Sequence, residues 1–333
     1  MASPTGLDVL RKRTIVDCDT MDEQIAKTLG PFQDCTSNQA IAFGELSKPE
    51  HADLIRSSVT DAEALSPRFQ GIDTFELAAE VAMVKLALKI APHIRGYVHI
   101  QTNPYESYST ERTVANAFRV VEIFQHLDPA FDTTRICIKI PSTWEGLMAC
   151  RVLELAGVRT LATTLFTFVQ AVLAAEVGCT YIAPYVNQLK VHFEPGFVDP
   201  KKLLPLCVSL QKYYESIGAK TQVLPASLTS TDDIYALAGI HHITISPSLL
   251  QQLLQPGFSS QTKSLFDTNF PKPESQASYI SRESVYRLDF SRAERGASEG
   301  KLTQARLSDV YPAINIFCEM QDNLIALMGG KRL

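Results

Sequence analysis

The chain has 333 residues, of which 45% are hydrophobic and 20% charged, and its formal net charge at pH 7 is -5. This composition excludes extensive disorder, and the acidic balance disfavours a nucleic-acid surface, which normally needs a concentrated basic face. No apolar stretch reaches the length of a membrane span and the N-terminus has no apolar signal core. We therefore expect a cytosolic protein that binds a small molecule and contacts neither nucleic acid nor membrane.

Short β-like segments alternate with longer helical patterns along most of the chain. This alternation is typical of parallel strands that are joined by crossover helices. The eight predicted strands cover residues 14–19, 35–38, 96–102, 136–141, 159–164, 181–186, 221–226 and 242–246. Because eight is the number that a closed barrel needs, we predict the α/β class, with residues 1–333 forming a single (β/α)8 TIM barrel domain.

Helical periodicity is strongest over residues 74–94, and a second helix is predicted over 110–127. A terminal helix is predicted over 303–329. Its apolar positions place it either across the barrel mouth or among the ordinary outer helices. Residues 255–285, which are rich in Ser, Pro, Gln and Lys, are typical of a loop.

The seven cysteines are an odd number, are scattered, and lack the close pairs that bind zinc or form redox motifs. We expect reduced thiols and assign them no metal and no catalytic role.

Lys139 is the most informative residue, because it lies within the otherwise apolar segment 136–141. A strand that is buried on both faces is a nearly continuous apolar run, and an unpaired buried ammonium is costly enough that a lysine tends to lose its proton. A neutral lysine is a nucleophile. The alternative is a lysine at a strand end whose ammonium reaches solvent.

Polar residues stand near the carboxyl ends of seven predicted strands, where (β/α)8 barrels carry their reactive groups. For any one of them a capping or turn role is the commoner one. Their convergence from seven strands favours an active site. In strand order these residues are Asp19, Asn38, Gln101, Lys139, Thr163, Tyr185 and Ser227.

Several segments resemble motifs of the transaldolase family. Residues 138–146 (Ile-Lys-Ile-Pro-Ser-Thr-Trp-Glu-Gly) resemble its Schiff-base lysine signature, and residues 164–171 (Thr-Leu-Phe-Thr-Phe-Val-Gln-Ala) are similar to its Leu-Leu-Phe-Ser-Phe-Ala-Gln-Ala stretch. Residues 16–20 and 36–38 resemble the first-strand aspartate and second-strand asparagine motifs. The resemblance runs from about residue 14 to residue 247 without a large gap.

The resemblance implies that Lys139 condenses with a substrate ketone, expels water and forms an iminium ion that acts as an electron sink. It also implies that Asp19 handles the proton of the attacking or departing hydroxyl, and that Asn38 orients substrate hydroxyls. The expected partner is thus a small-molecule carbonyl substrate, and no cofactor or metal is expected. Relatives range from dimers to larger rings, so a homo-oligomer is expected.

The chain departs from transaldolases at the site of the catalytic water. The family's third-strand glutamate aligns with Gln101, which cannot carry the proton but can hold a water, and its sixth-strand phenylalanine aligns with Tyr185. With Thr163 these residues resemble the water-holding trio of the fructose-6-phosphate aldolases, which implies that Tyr185 handles the proton. The alternative is that Tyr185 only packs in the barrel with its hydroxyl satisfied.

A second departure concerns phosphate, because the arginines that grip it in the family align with Gln188 and Thr229. Each charge-assisted hydrogen bond contributes about 1.5–3 kcal/mol, so losing two predicts phosphosugar binding weaker by roughly 10²–10⁴-fold. Lys190 or His241 is an alternative source of positive charge.

Two further positions lose polar side chains, because a family asparagine aligns with Leu161 and a family serine with Ala183. An apolar wall there predicts a less hydroxylated substrate, since unpaired hydroxyls would be desolvated at a cost. The alternative is that Leu161 only fills core volume.

The leading hypothesis is a transaldolase-like Schiff-base enzyme of specialised metabolism that forms or cleaves a carbon–carbon bond on a carbonyl substrate without phosphate. A second is a housekeeping transaldolase of the pentose phosphate pathway with a rewired phosphate site. A third is a catalytically silent barrel that binds a metabolite or a protein partner, against which Lys139, Asp19 and Asn38 argue. A fourth is that the same enamine serves dehydration or cyclisation.

Overall fold

The computed structural model describes residues 4–255, 262–269 and 309–330. Eight parallel strands lie where the sequence predicts them, which confirms the (β/α)8 barrel. In chain order, β1 to β8 are Ile15–Asp19, Cys35–Thr36, Val98–Gln101, Ile136–Pro141, Arg159–Leu165, Tyr181–Pro184, Gln222–Val223 and His242–Ile245.

The strands lie side by side in the order β7-β6-β5-β4-β3-β2-β1-β8. Their register places Lys139 between Gln101 on β3 and Leu161 on β5. A backbone hydrogen bond from Thr244 N to Pro225 O (3.4 Å) brings β8 next to the β7 side, so that the barrel is nearly closed.

Twelve α-helices are present in the described part of the chain. In order, α1 to α12 are Gly6–Arg11, Glu23–Leu29, Gln39–Leu46, Ala52–Leu65, Thr74–Ile90, Thr110–Leu127, Trp144–Leu155, Phe168–Glu176, Leu204–Ile217, Thr231–Ala236, Pro247–Leu253 and Val310–Met328. The two strongest helical patterns of the sequence therefore correspond to α5 and α6, and the helix at the C-terminal end is α12.

Polar caps determine where the helices next to the site begin. Thr143 Oγ1 accepts a hydrogen bond from Gly146 N (2.8 Å), which starts α7 directly after β4. Thr167 and Gln170 form a reciprocal capping box that starts α8 after β5. Because such caps satisfy the free N–H groups of a first turn, β4 and β5 each pass into the following helix within a few residues.

Alternation along β4 directs Lys139 to the inside of the barrel. Ile136, Ile138 and Ile140 belong to the large apolar cluster between the sheet and the helices, whereas Cys137 belongs to a smaller cluster inside the barrel. Successive side chains of a strand point to opposite faces, so Lys139 shares the inner face with Cys137. The register of the ladders also places Leu161 on this face.

Helix α12 crosses the mouth of the barrel. Its buried residues Val310, Ile314 and Phe317 belong to the inner cluster, together with Leu161 and Tyr185. Of the two positions that the sequence allows, the structure shows the mouth and not the outer ring. Most of the predicted loop 255–285, and residues 303–308 of the predicted terminal helix, lie outside the described residues.

A buried network of charged side chains lies beneath Lys139. Asp17 Oδ2 is 2.8 Å from His242 Nδ1, and Asp34 Oδ2 is 3.1 Å from His99 Nε2. His99 pairs with Cys137 across the ladder, so this layer lies two residues below Lys139. Burial raises the pKa of Asp17 to about 6, although His242 opposes the shift. The barrel floor is therefore polar but internally paired.

The seven cysteines all lie in the described residues and none forms a disulfide, in agreement with the predicted reduced thiols. In the described ranges, no helix combines the length and the apolar character that crossing a membrane requires.

Close packing at Gly146 predicts a stability difference between two glycines. A Cβ on Gly146 would meet the Pro141 carbonyl oxygen and Thr143 Oγ1, whereas a Cβ on Gly44 in α3 would meet nothing. Gly146→Ala should therefore lower the free energy of unfolding by about 1–3 kcal/mol, whereas Gly44→Ala should raise it by up to about 1 kcal/mol. Urea unfolding measures both effects, and equal changes would contradict this packing.

Candidate active site

A cavity of about 690 Å³ opens at the carboxyl ends of the strands. Its size falls within the usual range for small-molecule sites. Phe317 of α12 forms part of its wall. Of the residues that the sequence predicts, those on its lining are Asp19, Asn38, Lys139, Tyr185, Ser227 and Thr229.

Lys139 is only 2% exposed, so its amine does not reach bulk solvent. Its Nζ donates a hydrogen bond to the carbonyl oxygen of Ser37 (3.1 Å). Burial lowers the pKa of Lys139, and the nearby charge of Asp19 opposes this shift. A lysine with a lowered pKa is neutral in a larger fraction of molecules, which is the form that attacks a carbonyl.

Asp19 is held at the end of β1 by a pair of threonines. Thr36 Oγ1 donates to Asp19 Oδ1 (2.6 Å), and Thr36 Oγ1 lies 2.6 Å from Thr244 Oγ1. Side chains from β2 and β8 thus hold the carboxylate at the end of β1. The second carboxylate oxygen, Oδ2, takes no part in these contacts. This arrangement suits a carboxylate that exchanges a proton with a substrate hydroxyl.

Tyr185 and Thr163 form one side of the predicted water site. Thr163 Oγ1 lies 3.2 Å from the Tyr185 hydroxyl. Burial raises the pKa of Tyr185, Thr163 opposes the shift and Asp19 adds to it, so the phenol stays protonated at neutral pH. The protonated hydroxyl of Tyr185 can therefore donate a hydrogen bond at the cavity wall.

Gln101 lies opposite Lys139 across the β3–β4 ladder and is 2% exposed. In the described part of the molecule, both atoms of its carboxamide lack a hydrogen-bond partner. An unpartnered buried amide is costly, so this group has a strong tendency to bind a water or a substrate oxygen. Gln101 and Thr163 are not among the residues that line the cavity.

Asn38 and Ser227 combine a local structural role with a place on the cavity wall. Asn38 Oδ1 caps α3 by accepting from Ile41 N (3.0 Å), which leaves its amide nitrogen as the group for a substrate. Ser227 has a φ of 59°, in the left-handed region that a non-glycine residue rarely adopts. Asn187 Nδ2 stabilises that conformation by donating to Ser227 O (2.7 Å). Such backbone strain is common at functional sites.

Leu161 and Ala183 are fully or almost fully buried in the inner apolar cluster and do not line the cavity. The apolar part of the cavity wall is formed by other residues, which the sequence did not single out: Leu189, Val191, Phe193, Leu228, Leu249 and Phe317.

Gln188 lies apart from the main cavity, in a separate one of about 230 Å³ that it shares with Lys190. Lys190 Nζ is 3.6 Å from a carboxylate oxygen of Glu194. His241 precedes β8 and lines a cavity at the opposite, amino-terminal end of the barrel. Neither Lys190 nor His241 brings positive charge to the main cavity.

Thr229 does line the main cavity, and a cation lies next to it. Lys202 Nζ is 3.3 Å from Thr229 Oγ1, but it also donates to both carboxylate oxygens of Asp233 (2.9 and 3.0 Å). Thr229 Oγ1 in turn donates to Asp233 (3.1 Å). The charge of Lys202 is therefore neutralised where the family carries an arginine.

His192 is a cavity residue that the sequence did not reveal. It lies in the short 3-10 helix Leu189–His192 after β6, and its Nε2 is 2.9 Å from Ser227 Oγ. Burial lowers the pKa of His192, and the charge of Asp19 opposes the shift. The sequence signal for His192 is a titratable side chain in the loop after a barrel strand, eight residues beyond the end of β6.

One group in the described residues has the composition of a metal site, namely Asp17, Asp34 and His242. Each carboxylate already accepts hydrogen bonds, from Asp34 N (2.9 Å) to Asp17 and from Tyr97 N (2.9 Å) to Asp34. With the histidine contacts described above, these groups are satisfied without an ion. We assign the group to the support of the barrel floor.

A model of the family described as transaldolase/fructose-6-phosphate aldolase matches residues 16–289. The transaldolase of Saccharomyces cerevisiae is 31% identical over 293 residues, covering 84% of this chain and 83% of that protein. The transaldolase of Aliivibrio salmonicida is 34% identical over 275 residues, with 80% and 84% covered. The transaldolase of Gloeobacter violaceus is 32% identical over 260 residues, which cover 74% of this chain but only 64% of that protein.

The family match therefore includes the strand that carries Lys139 and the whole barrel up to β8. The chain belongs to the transaldolase/fructose-6-phosphate aldolase family, whose members are aldolase- and transferase-type enzymes.

Proposed function

We propose that the chain is a Schiff-base enzyme that forms or cleaves a carbon–carbon bond on a carbonyl substrate without phosphate. The observation that carries this proposal is the buried, pKa-lowered Lys139 on the inner face of β4, with the carboxylate of Asp19 in the same cavity. Family membership supports the reaction type, and the charges around the cavity support the substrate class.

The chemistry follows from the groups at the site. The lone pair of Lys139 Nζ attacks the substrate carbonyl carbon, and the carbonyl oxygen leaves as water after protonation through the Tyr185 and Gln101 site. In cleavage, Asp19 accepts the proton of the β-hydroxyl, the α–β bond breaks, and its electron pair moves into the iminium to give an enamine. An aldehyde is released, the α carbon of the enamine then takes up a proton, and water hydrolyses the resulting iminium to free the ketone product and the Lys139 amine. In synthesis the same steps run in reverse.

The substrate class is inferred from the charges around the cavity. Its basic lining residues in the described parts of the chain are Lys139 and His192, and its acidic ones are Asp19 and Glu45. Among the described lining residues, Lys139 is the only lysine or arginine, and it must react with the carbonyl. A phosphate dianion would therefore find no other such cation on the lining. Phosphate recognition usually depends on such charge-assisted hydrogen bonds. This balance supports a neutral substrate, and with it a role in specialised metabolism.

The names of the relatives favour a second candidate, a transaldolase of sugar phosphates. For this candidate Lys202 would have to leave Asp233 when substrate binds. A homo-oligomeric state and a single-domain organisation are further proposals, carried by the family resemblance.

Reductive trapping tests the reaction type. Incubation with dihydroxyacetone and cyanoborohydride at neutral pH should convert the iminium into a stable amine, and peptide mass mapping should find the adduct at Lys139. Lys139→Met should abolish the adduct, whereas Lys89→Met, which removes an exposed lysine of α5, should leave it unchanged. An unmodified Lys139 would refute the proposed chemistry.

The effect of Asp19 on Lys139 predicts a shift in pH dependence. Acylation of Lys139 requires the neutral amine, so its rate should rise with pH around a midpoint below the ordinary lysine value of about 10.4. Because the Asp19 charge raises the pKa of Lys139, Asp19→Asn should move that midpoint to lower pH. Competitive labelling with a small acylating reagent measures the midpoint.

Asp53→Asn is the matched control, because it removes the same charge from an exposed position on α4. It should leave the midpoint in place. A midpoint that stays constant or rises in Asp19→Asn would contradict the assigned electrostatic contact.

Paired substrates test the phosphate question. D-fructose should be trapped on Lys139 at least as fast as D-fructose 6-phosphate at equal concentration, because the cavity lacks an uncompensated cation to hold the phosphate. The mass of the Lys139 peptide distinguishes the two adducts. A preference for the phosphate ester of 100-fold or more would establish the sugar-phosphate candidate instead.

A further inference from the structure

His192 and Ser227 form a polar pair on the wall of the cavity. Their contact joins Nε2 to Oγ at 2.9 Å. Both residues line the cavity, His192 from the turn after β6 and Ser227 from the segment after β7. Their neighbours along the chain on this lining include the apolar residues Leu189, Val191, Phe193 and Leu228 and the polar residue Thr229.

The neutral form of the pair is favoured at neutral pH. Partial desolvation of the ring lowers the pKa of His192 from its ordinary value near neutrality, which favours the uncharged imidazole although the side chain stays accessible to solvent. A neutral imidazole offers one donor and one acceptor, and a serine hydroxyl offers one donor and two lone pairs. After their mutual hydrogen bond, the pair still presents both a donor and an acceptor. That combination matches a hydroxyl or carbonyl oxygen better than a phosphate, which supplies acceptors alone.

The position of the pair determines which part of a substrate it meets. Lys139 enters the cavity from β4, whereas the pair enters from β6 and β7, two and three strands away around the barrel. Since all three residues line one cavity, a substrate whose carbonyl carbon is bonded to Lys139 can place its other end at the pair. The segment after β7 also carries Thr229, whose neighbouring cation is neutralised by Asp233.

We propose that His192 and Ser227 act together as a specificity pair, which binds an uncharged hydroxyl or carbonyl oxygen at the end of the substrate opposite the carbon that Lys139 attacks. This inference rests on the proposed function, because it uses the iminium at Lys139 to fix the near end. It names the substrate class more closely: a carbonyl compound that carries a second neutral oxygen at its far end.

The alternative to a specificity role is a structural one, in which the His192 ring holds Ser227 in its left-handed conformation. A purely structural role would affect every substrate alike. A specificity role affects only substrates that reach the pair. The two roles are therefore separated by comparing ketones of different length and different far-end chemistry.

Three ketones serve as probes in cyanoborohydride trapping on Lys139: hydroxyacetone, which is too short to span the cavity, D-fructose, and 6-deoxy-D-fructose, which lacks the terminal hydroxyl. The wild-type protein should trap D-fructose about 3- to 10-fold faster than 6-deoxy-D-fructose, because one hydrogen bond of ordinary net strength changes binding by about that factor. Hydroxyacetone should be trapped regardless of the state of the pair.

His192→Phe keeps a ring of similar size but removes both nitrogens, and it should bring the rate ratio of the two hexoses close to one. His192→Gln keeps a neutral donor and acceptor and should preserve part of the ratio. Trapping of hydroxyacetone should be unchanged in both variants, which also reports that Lys139 and the fold are intact.

Each outcome is decisive. Absence of hydroxyacetone trapping in the wild-type protein would refute the proposed function itself. Normal hydroxyacetone trapping with a wild-type hexose ratio near one, or with a ratio that His192→Phe leaves unchanged, would overturn only the specificity pair. A loss of all three adducts in His192→Phe and in His192→Gln would assign His192 a structural role instead.

Discussion

The site depends on one constraint, the burial of the Lys139 amine inside an eight-stranded barrel. The side chain is 2% exposed, donates to a single backbone carbonyl in the described contacts, and shares its layer with Gln101 and Leu161. Transfer of an ammonium into such surroundings is costly unless it is paired, so the neutral amine is favoured. Asp19 supplies a limited counter-charge, which keeps protonation accessible. The same burial that lowers the pKa of Lys139 therefore makes its proton equilibrium sensitive to one carboxylate.

The barrel interior has three layers of different composition around Lys139: a floor, a middle layer and a mouth. The floor is a hydrogen-bonded network in which Asp17 pairs with His242 and Asp34 pairs with His99. The middle layer above it carries Lys139, the residue to which we assign the chemistry. The mouth combines an apolar wall with the His192 and Ser227 contact, and it is crossed by α12. The cation near Thr229 is paired with Asp233, which is the basis for our proposal of a neutral substrate end.

Much of this arrangement was predictable from the sequence, because it depends on local patterns. Strand positions follow from apolar runs, α6 from helical spacing, and Lys139 from the contrast between a charge and its strand. Features that depend on loop direction were not predictable. Gln188 and His192 are four residues apart, yet the turn after β6 places only His192 on the cavity wall. Leu161 was expected on that wall, but the register of β5 places it in the layer inside the barrel.

The central claim is that Lys139 bonds covalently to a carbonyl carbon through a neutral amine. A crystal structure of the protein soaked with dihydroxyacetone and then reduced with cyanoborohydride tests it most directly. The account predicts continuous electron density from Lys139 Nζ into the bound three-carbon unit, with that unit lying between Asp19 and Tyr185. An unmodified Lys139 in a cavity that contains the ketone, or an adduct on a different lysine, would contradict it.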